Sequence, residues 1–473
     1  TTFTYDSHVR LIKETNPLGL SSEYTYGTDV RMSSSKDKRG NATTYTYDSF
    51  GRETRVVYPD NTIKTVSYEW CNERSGELYA IVTTETGKPS IKVVYDAFNR
   101  EVRRSDRRFD GTWRNIVTTY NSRGKIAQES LPYKGTNPSL WNTYSYDLHD
   151  RLISITEASG RTTTYAYDGT AVTTVEDGVS VTRDYDALGN LISVTDSLGT
   201  ITYSLCADGL PASITAPGGV TTTFGYDNYR RRISLADPSH GTTAYEYDAA
   251  GNIKKETNAR GQVTQYSYDR YNRVSYIIAN DRHENYLYND YDELIEIVPN
   301  DESYYYWYAY DNLGRLSATY GATEQYSLQK NFTYTQGNIT SIVYRSSGAV
   351  LATEGRSYTY GHLVGMELDG GTTLYELFEE NEFGQPTYIY TGGISRYYTY
   401  SVYGYPVIRR ADKSNGSRIQ QDVTSYAPAT GNLSIRRDVV NGITENFYYD
   451  GMNRLVNDYY GNIVYDNKGN MTS

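Results

Sequence analysis

Two cysteines, Cys71 and Cys206, are all that 473 residues contain, too few for a disulfide framework in any compartment. They lie far apart without a Cys-x-x-Cys or accompanying histidine motif, which argues against a thiol nucleophile. The five histidines, His8, His149, His240, His283 and His362, are widely scattered, so they read as incidental surface residues and not as a metal set. No stretch approaches the roughly 18 to 20 consecutive apolar residues of a membrane span. The 46 basic residues are outnumbered by 57 acidic ones, net charge is −11, and the longest basic run is Arg230 to Arg232; a nucleic-acid-binding surface is disfavoured. Glycines come singly or at most in pairs, without the strand-to-helix junction of a phosphate loop. Helical periodicity with caps is absent. The apolar fraction is 38% with tyrosine counted in it, so a thick dry core is not expected. The chain opens Thr1-Thr2-Phe3 without an initiator methionine or signal peptide, and reads as an excised piece.

What the chain has is tyrosine, 53 of them, and 40 glycines. The pattern Tyr-Asp-x-x-Gly-Arg/Asn returns about every 21 residues, the interval from Tyr26 to Tyr47. It stands nearly intact at Tyr47-Asp48-Ser49-Phe50-Gly51-Arg52 and Tyr185-Asp186-Ala187-Leu188-Gly189-Asn190. Further copies run from Tyr247-Asp248 to Gly251-Asn252, from Tyr310-Asp311 to Gly314-Arg315, and from Tyr465-Asp466 to Gly469-Asn470. Anchors from Tyr5 to Tyr465 make 22 units. Self-similarity at a fixed period marks an array, not a domain built around one site. Residues 1–473 therefore read as a single continuous array, more regular over 1–300 and more degenerate over 301–473.

Each repeat has a physical reading. Asp186 sits where a type I turn favours a side chain that bonds its own backbone, and Gly189 sits where positive φ is needed. A second turn follows about ten residues on, as at Asp196 to Gly199, Asp37 to Gly40 and Asn16-Pro17-Leu18-Gly19. Two turns per unit leave two short strands. The segments between them, such as Thr43-Thr44-Tyr45-Thr46-Tyr47, alternate with period two and are rich in β-branched and aromatic residues. Asn replaces the turn glycine at Asn99, Asn272 and Asn453, and tolerates the left-handed region. Val9 and Val30 hold that position in the first two units; a β-branched residue fits it poorly, so irregular turns are expected there.

The fold class is thus all-β, a long antiparallel meander of hairpins. About 44 strands at roughly 4.8 Å each make a ribbon of about 210 Å. Sheets that long curl, because each strand is rotated some 20° from the last. Closed as one ring the ribbon would be about 67 Å across, too wide for its own side chains to fill. A hollow, open segment of shell is the expected result, the ribbon sufficing for one wide turn or two narrower ones.

Catalysis has little to stand on, and no catalytic, cofactor-binding or metal residue is assigned. The Asp of each repeat is explained by its turn. Trp70, Trp113, Trp141 and Trp307, with the run Tyr304 to Tyr308, raise a rival reading in which rings, above all Trp113, Trp141 and Trp307, stack on glycans. The rings follow the strand period, which favours a structural role.

These repeats resemble the RHS/YD-repeat family over essentially the whole chain. The resemblance implies a strand ribbon that spirals into a shell around a polypeptide, as in bacterial polymorphic toxins and the C component of insecticidal toxin complexes, with teneurin barrels related. It implies a secreted or cell-surface bacterial protein whose partner is an enclosed C-terminal toxin or cargo polypeptide lying beyond this stretch. The closing segment Ile463 to Ser473 is similar to Bacteroidetes-type members. Toxin-bearing members end in a self-cleaving core with an Asp-Pro-x-Gly-Leu motif. Asn16-Pro17-Leu18-Gly19-Leu20 carries Asn for Asp at the wrong end of the array and reads as a repeat turn, so neither that core nor a toxin domain is assigned. The alternative function is an exposed adhesion array binding glycans or a partner protein.

Overall fold

A computed structural model describes residues 1–280, 282–427, 430–458, 460–466, 471 and 472. Among these residues every regular element is a strand. There are 44: 41 belong to one antiparallel sheet, and Tyr448–Tyr449, Leu455–Asp458 and Gly461–Asn462 form another. Pairing follows chain order. Thr2–Tyr5 pairs with Leu11–Thr15, which pairs with Ser21–Tyr26, then Met32–Lys36, then Ala42–Tyr47. The chain is an all-β meander of hairpin repeats. No helix among the described residues is long and apolar enough to cross a membrane.

The alternation of residue types becomes an alternation of environments. Along Ala42–Tyr47 exposed and half-covered residues take turns, with Tyr45 and Tyr47 on the covered side and Thr44 and Thr46 on the open one. Thr162–Asp168 repeats the pattern. Burial is sparse: Ala80 and Val94 are sealed off, and with Cys71 and half-covered Val102 they form a small core cluster. Elsewhere tyrosine rings laid over neighbouring hairpins do the covering.

The repeat turn has one construction. Asp48 N–H donates to Arg52 O at 2.9 Å and Gly51 N–H to Asp48 O at 2.9 Å, with Gly51 at φ +82°. Thr46 faces Arg55 while Tyr47 faces Glu53, so one residue bulges beyond the turn. This is a type I turn closed by a left-handed residue, the three-residue hairpin loop. Val9 and Val30 do not make irregular turns. They adopt φ of +61° and +66°, and Val9 N–H donates to Asp6 O at 3.0 Å as a glycine would. At Val9 the reason is that Asp6 secures the loop from its side chain: Oδ1 accepts from His8 N at 2.8 Å and Arg10 N at 3.0 Å. Those bonds hold valine in a region that costs an L-residue about 1–2 kcal/mol.

Strands are at most 8 residues long up to Leu316–Thr323; the longer ones come after it, reaching 11 in Ala349–Thr359, among others as short as 2. Two compact units can be distinguished. Unit 1 comprises Thr1–Asn115, Ala249–Lys254 and Val263–Leu377; unit 2 comprises Ile116–Asp248, Lys255–Gln262 and Phe378–Ser473. Each therefore combines stretches far apart in sequence.

Candidate functional site

The repeated feature is a ladder that links many of the YD turns to the next. In Tyr47–Arg52, Asp48 Oδ1 accepts from Phe50 N and Arg52 N, both at 2.9 Å, and Oδ2 accepts from Arg52 Nε at 2.7 Å. The guanidinium so held lies 3.9 Å from the ring of Tyr68, the anchor of the following unit. Tyr47, in turn, donates its hydroxyl to Met32 O of the preceding unit at 2.9 Å. The same links recur at Arg10 over Tyr26, Arg151 over Tyr167, Arg231 over Tyr247, Arg315 over Tyr334 and Arg454 over Tyr465. Tyr167, Tyr247, Tyr310 and Tyr465 donate to Leu152 O, Arg232 O, Leu294 O and Leu455 O at 2.7–2.9 Å. Where Asn190 replaces arginine, its Nδ2 reaches Asp186 Oδ2 at 2.9 Å. Gly189, Gly251 and Gly314 have φ of +84°, +94° and +79°. Tyr185, Asp248 and Asp466 are half-buried. Gly469 lies outside the described residues.

Electrostatics follow from this wiring. At Asp6 the Arg10 side chain, helped by its backbone N–H, holds the carboxyl down at about 2. At Asp186 the Asn190 side chain and backbone lower it. At Asp48 partial desolvation favours the neutral acid, but the Arg52 backbone and guanidinium outweigh it and the net direction is down. Buried carboxylates within strands are saturated too. Glu284 accepts from the Tyr286 and Tyr304 hydroxyls, and both phenols are pushed up to about 12 by burial and by that carboxylate. Glu354 accepts from Tyr344 Oη at 2.9 Å and Arg356 Nε at 2.5 Å. Groups already paired in this way are poorly placed to exchange protons with a substrate.

Cys71, Glu73 and Glu77 come close enough to suggest a metal, but two cations occupy them. Arg103 reaches Glu73 at 2.6 Å and Glu77 at 2.8 Å, and Lys92 reaches Glu73 at 2.6 Å. Burial, with Glu77 beside it, raises the Cys71 thiol. Trp113, Trp141 and Trp307 are half-buried in separate strands, whereas Trp70 is 85% exposed.

A second feature joins distant stretches within unit 1, where YD turns of late repeats meet second turns of early ones. Arg39 pairs with Glu293, 254 residues on, and stacks 3.8 Å from the Tyr291 ring. Asn41 Nδ2 donates to Asn312 O at 2.9 Å, Asn338 Nδ2 to Gly87 O at 2.8 Å, and His362 Nε2 to Arg107 O at 2.9 Å. His362 is thus a contact residue, not an incidental surface histidine, because its ring nitrogen meets a backbone carbonyl of another stretch. Glycines let the backbones meet: a Cβ on Gly361 would stand 2.5 Å from Lys88 Cα, and one on Gly87 would stand 2.0 Å from Gln336 O. A cavity of about 390 Å³ remains along this seam beside Asp60, Leu313 and Arg315. In unit 2, Ser197 touches Met452, again 255 residues apart. Sequence reasoning missed the seam; the ladder had a signal in the arginine that closes so many repeats.

The geometry defines a class: an array of tyrosine-anchored hairpins, structural in kind. Comparisons agree. The family described as Teneurin YD-shell matches residues 1–176 and 81–205, and RHS Repeat matches 207–242 and 247–281. The chain belongs to the RHS/YD-repeat family. Among relatives, the tRNA3(Ser)-specific nuclease WapA of Bacillus spizizenii is 28% identical over 207 residues, 41% of this chain and 8% of the relative. The tRNA nuclease WapA of Bacillus subtilis is 26% identical over 208 residues, with the same shares. Among solved structures, the TcdB2-TccC3-Cdc42 crystal structure matches 100% of this chain and 34% of its own, with TM-score 0.82 and 12% identity. The Photorhabdus luminescens Tc holotoxin pore carrying TccC3-D651A matches the same shares at TM-score 0.81 and 11% identity. The chain thus spans a small part of the WapA relatives and about a third of the solved chains.

Proposed function

We propose that this chain is a stretch of wall: a YD-repeat ribbon that coils into a hollow shell and sequesters a toxin or cargo polypeptide for delivery by a secreted or cell-surface bacterial protein. The observation that carries the reading is the return contact. In unit 1 the ribbon's edge is met by its own chain 251 to 271 residues later, and in unit 2 after 255. A ribbon that closes edge to edge makes a continuous barrier, whereas an adhesion array has no need of one. We read residues 1–473 as one continuous array and assign it no catalytic, cofactor or metal residue. A nuclease activity such as the WapA names describe would belong to another part of a longer polypeptide. The glycan-binding alternative has less support, since Trp113, Trp141 and Trp307 are half-buried and separate.

Protease protection tests this. In the full-length gene product the cargo segment is expected to resist proteinase K until the wall is denatured, and particle images are expected to show a hollow capsule. Cargo digested as fast as the same segment expressed alone, together with solid particles, would refute encapsulation.

A further inference from the structure

Several arginines in the late strands of unit 2 are claimed by carboxylates. Asp412 takes Arg410 and Arg418, and Glu445 takes Arg436. Arg396 and Arg409 are different: neither has an ion-pair partner among the described residues. Net charge is −11, so carboxylates are in excess and two cations left over in one place run against the average.

The register brings them together. Tyr398 of Ile394–Tyr400 faces Arg409 of Pro406–Lys413, and Arg396 precedes Tyr398 on the same face of its strand. Arg396 is held by its Nε, which donates to Thr391 Oγ1 at 2.8 Å and leaves the terminal nitrogens available. The carboxylate opposite Arg409 in register, Asp422, accepts from Gln420 Nε2 at 2.7 Å instead. Both arginines and Tyr398 line a cavity of about 440 Å³, bordered also by Tyr400, Pro406 and Gln420. Arg410 borders it too, but its Nε donates to Asp412 Oδ2 at 2.7 Å. No Asp or Glu lines this cavity, whereas Asp37 and Glu85 stand beside Asp60 in the one along the unit 1 seam.

Charge and shape then select the ligand. Guanidinium groups bind oxyanions through charge-assisted hydrogen bonds. Donors that come from two strands suit a tetrahedral group, with oxygens on several sides, better than a planar carboxylate. The Tyr398 hydroxyl, which has no hydrogen-bond partner among the described residues, supplies a further donor. The space is far larger than a bare phosphate, and the Tyr400 ring and Pro406 give the remainder an apolar wall. We propose that this cavity binds an organic phosphate monoester, with Arg396 and Arg409 on the phosphoryl oxygens. The site lies within unit 2 and does not depend on what the wall encloses.

Calorimetric titration of the purified full chain at constant ionic strength tests this, with phenyl phosphate, inorganic phosphate, phenol and benzoate as probes. Phenyl phosphate is expected to bind at least about tenfold more tightly than any of the other three. Arg396→Gln and Arg409→Gln are each expected to weaken it by about tenfold or more with an unchanged far-ultraviolet dichroism spectrum. Arg437→Gln, at an exposed arginine on the opposite face of the sheet, is expected to leave it unaltered. Affinity no better than that for inorganic phosphate, phenol or benzoate overturns the proposal, as does the absence of binding or binding that survives both variants. The wild-type series decides even if a variant fails to fold.

Discussion

Phe50 and Tyr291 occupy the same place in the same turn, yet one is 81% exposed and the other 36%. Asp48 and Asn289 bond their own loops alike: Phe50 N and Tyr291 N each donate to the first residue's side-chain oxygen at 2.9 Å. The difference lies in what comes from elsewhere, since Arg39 is laid across Tyr291. The turn is thus complete in its own chemistry, and the docking of one edge on another is added to it by residues some 250 positions away.

Filling the seam should break it most severely. Gly361 at φ +83° faces the Lys88 backbone, whereas Gly189 at φ +84° faces open space. Gly361→Ala is expected to cost about 3 kcal/mol or more, from backbone overlap added to left-handed strain, and Gly189→Ala about 1 kcal/mol from strain alone. Denaturant unfolding followed by tyrosine fluorescence measures both; equal losses would mean that the two backbones do not touch.

Acid acts on the turns collectively. Asp6 lies at about 2 against an ordinary 3.8, and Asp48 and Asp186 are also lowered. A carboxyl lowered by folding contributes stability that is complete above its ordinary value and lost as pH falls through its folded one. The dichroism signal for strand is therefore expected to hold to about pH 4 and collapse toward pH 2. Asp6→Asn should flatten that loss; an unaltered acid transition would show that the Asp6 carboxylate is not coupled to folding.

Smaller still is the seam ion pair. Arg39 and Glu293 side chains are 15% and 19% exposed, against 44% and 48% for Lys13 and Glu23. Double-mutant cycles are expected to give about 1 kcal/mol for the first pair and about 0.3 for the second. A seam pair no stronger than the surface pair would argue that the seam is loosely held.

How far the sequence told this in advance depends on the range of each interaction. Turns at Asp48–Gly51 and Asp186–Gly189 were legible because the side chain that makes them bonds a backbone two and four residues away. The Arg52–Tyr68 stack was half legible: arginine recurs beside the turn, but its target becomes a neighbour only once the next hairpin is in register. Arg39–Glu293 and His362–Arg107 were not legible, since no local pattern announces a contact 254 or 255 residues away. Val9 misled for a different reason: its steric cost is real, but Asp6 supplies the bonds that outweigh it. Val9→Gly should accordingly stabilise the chain, by about 0.5 kcal/mol once the glycine's extra freedom in the unfolded chain is subtracted from the relieved strain. A loss of stability in the same denaturant assay would mean that Val9 is not strained.

The most direct test of the return contact is a distance. Spin labels at Lys38 and Asn312, with Cys71 and Cys206 replaced by serine, flank the Asn41–Asn312 bond. Pulsed dipolar spectroscopy should report one short, narrow separation of about 20 Å or less if the edges meet, whereas an open ribbon of some two dozen intervening strands would hold the labels roughly 100 Å apart and give no dipolar signal.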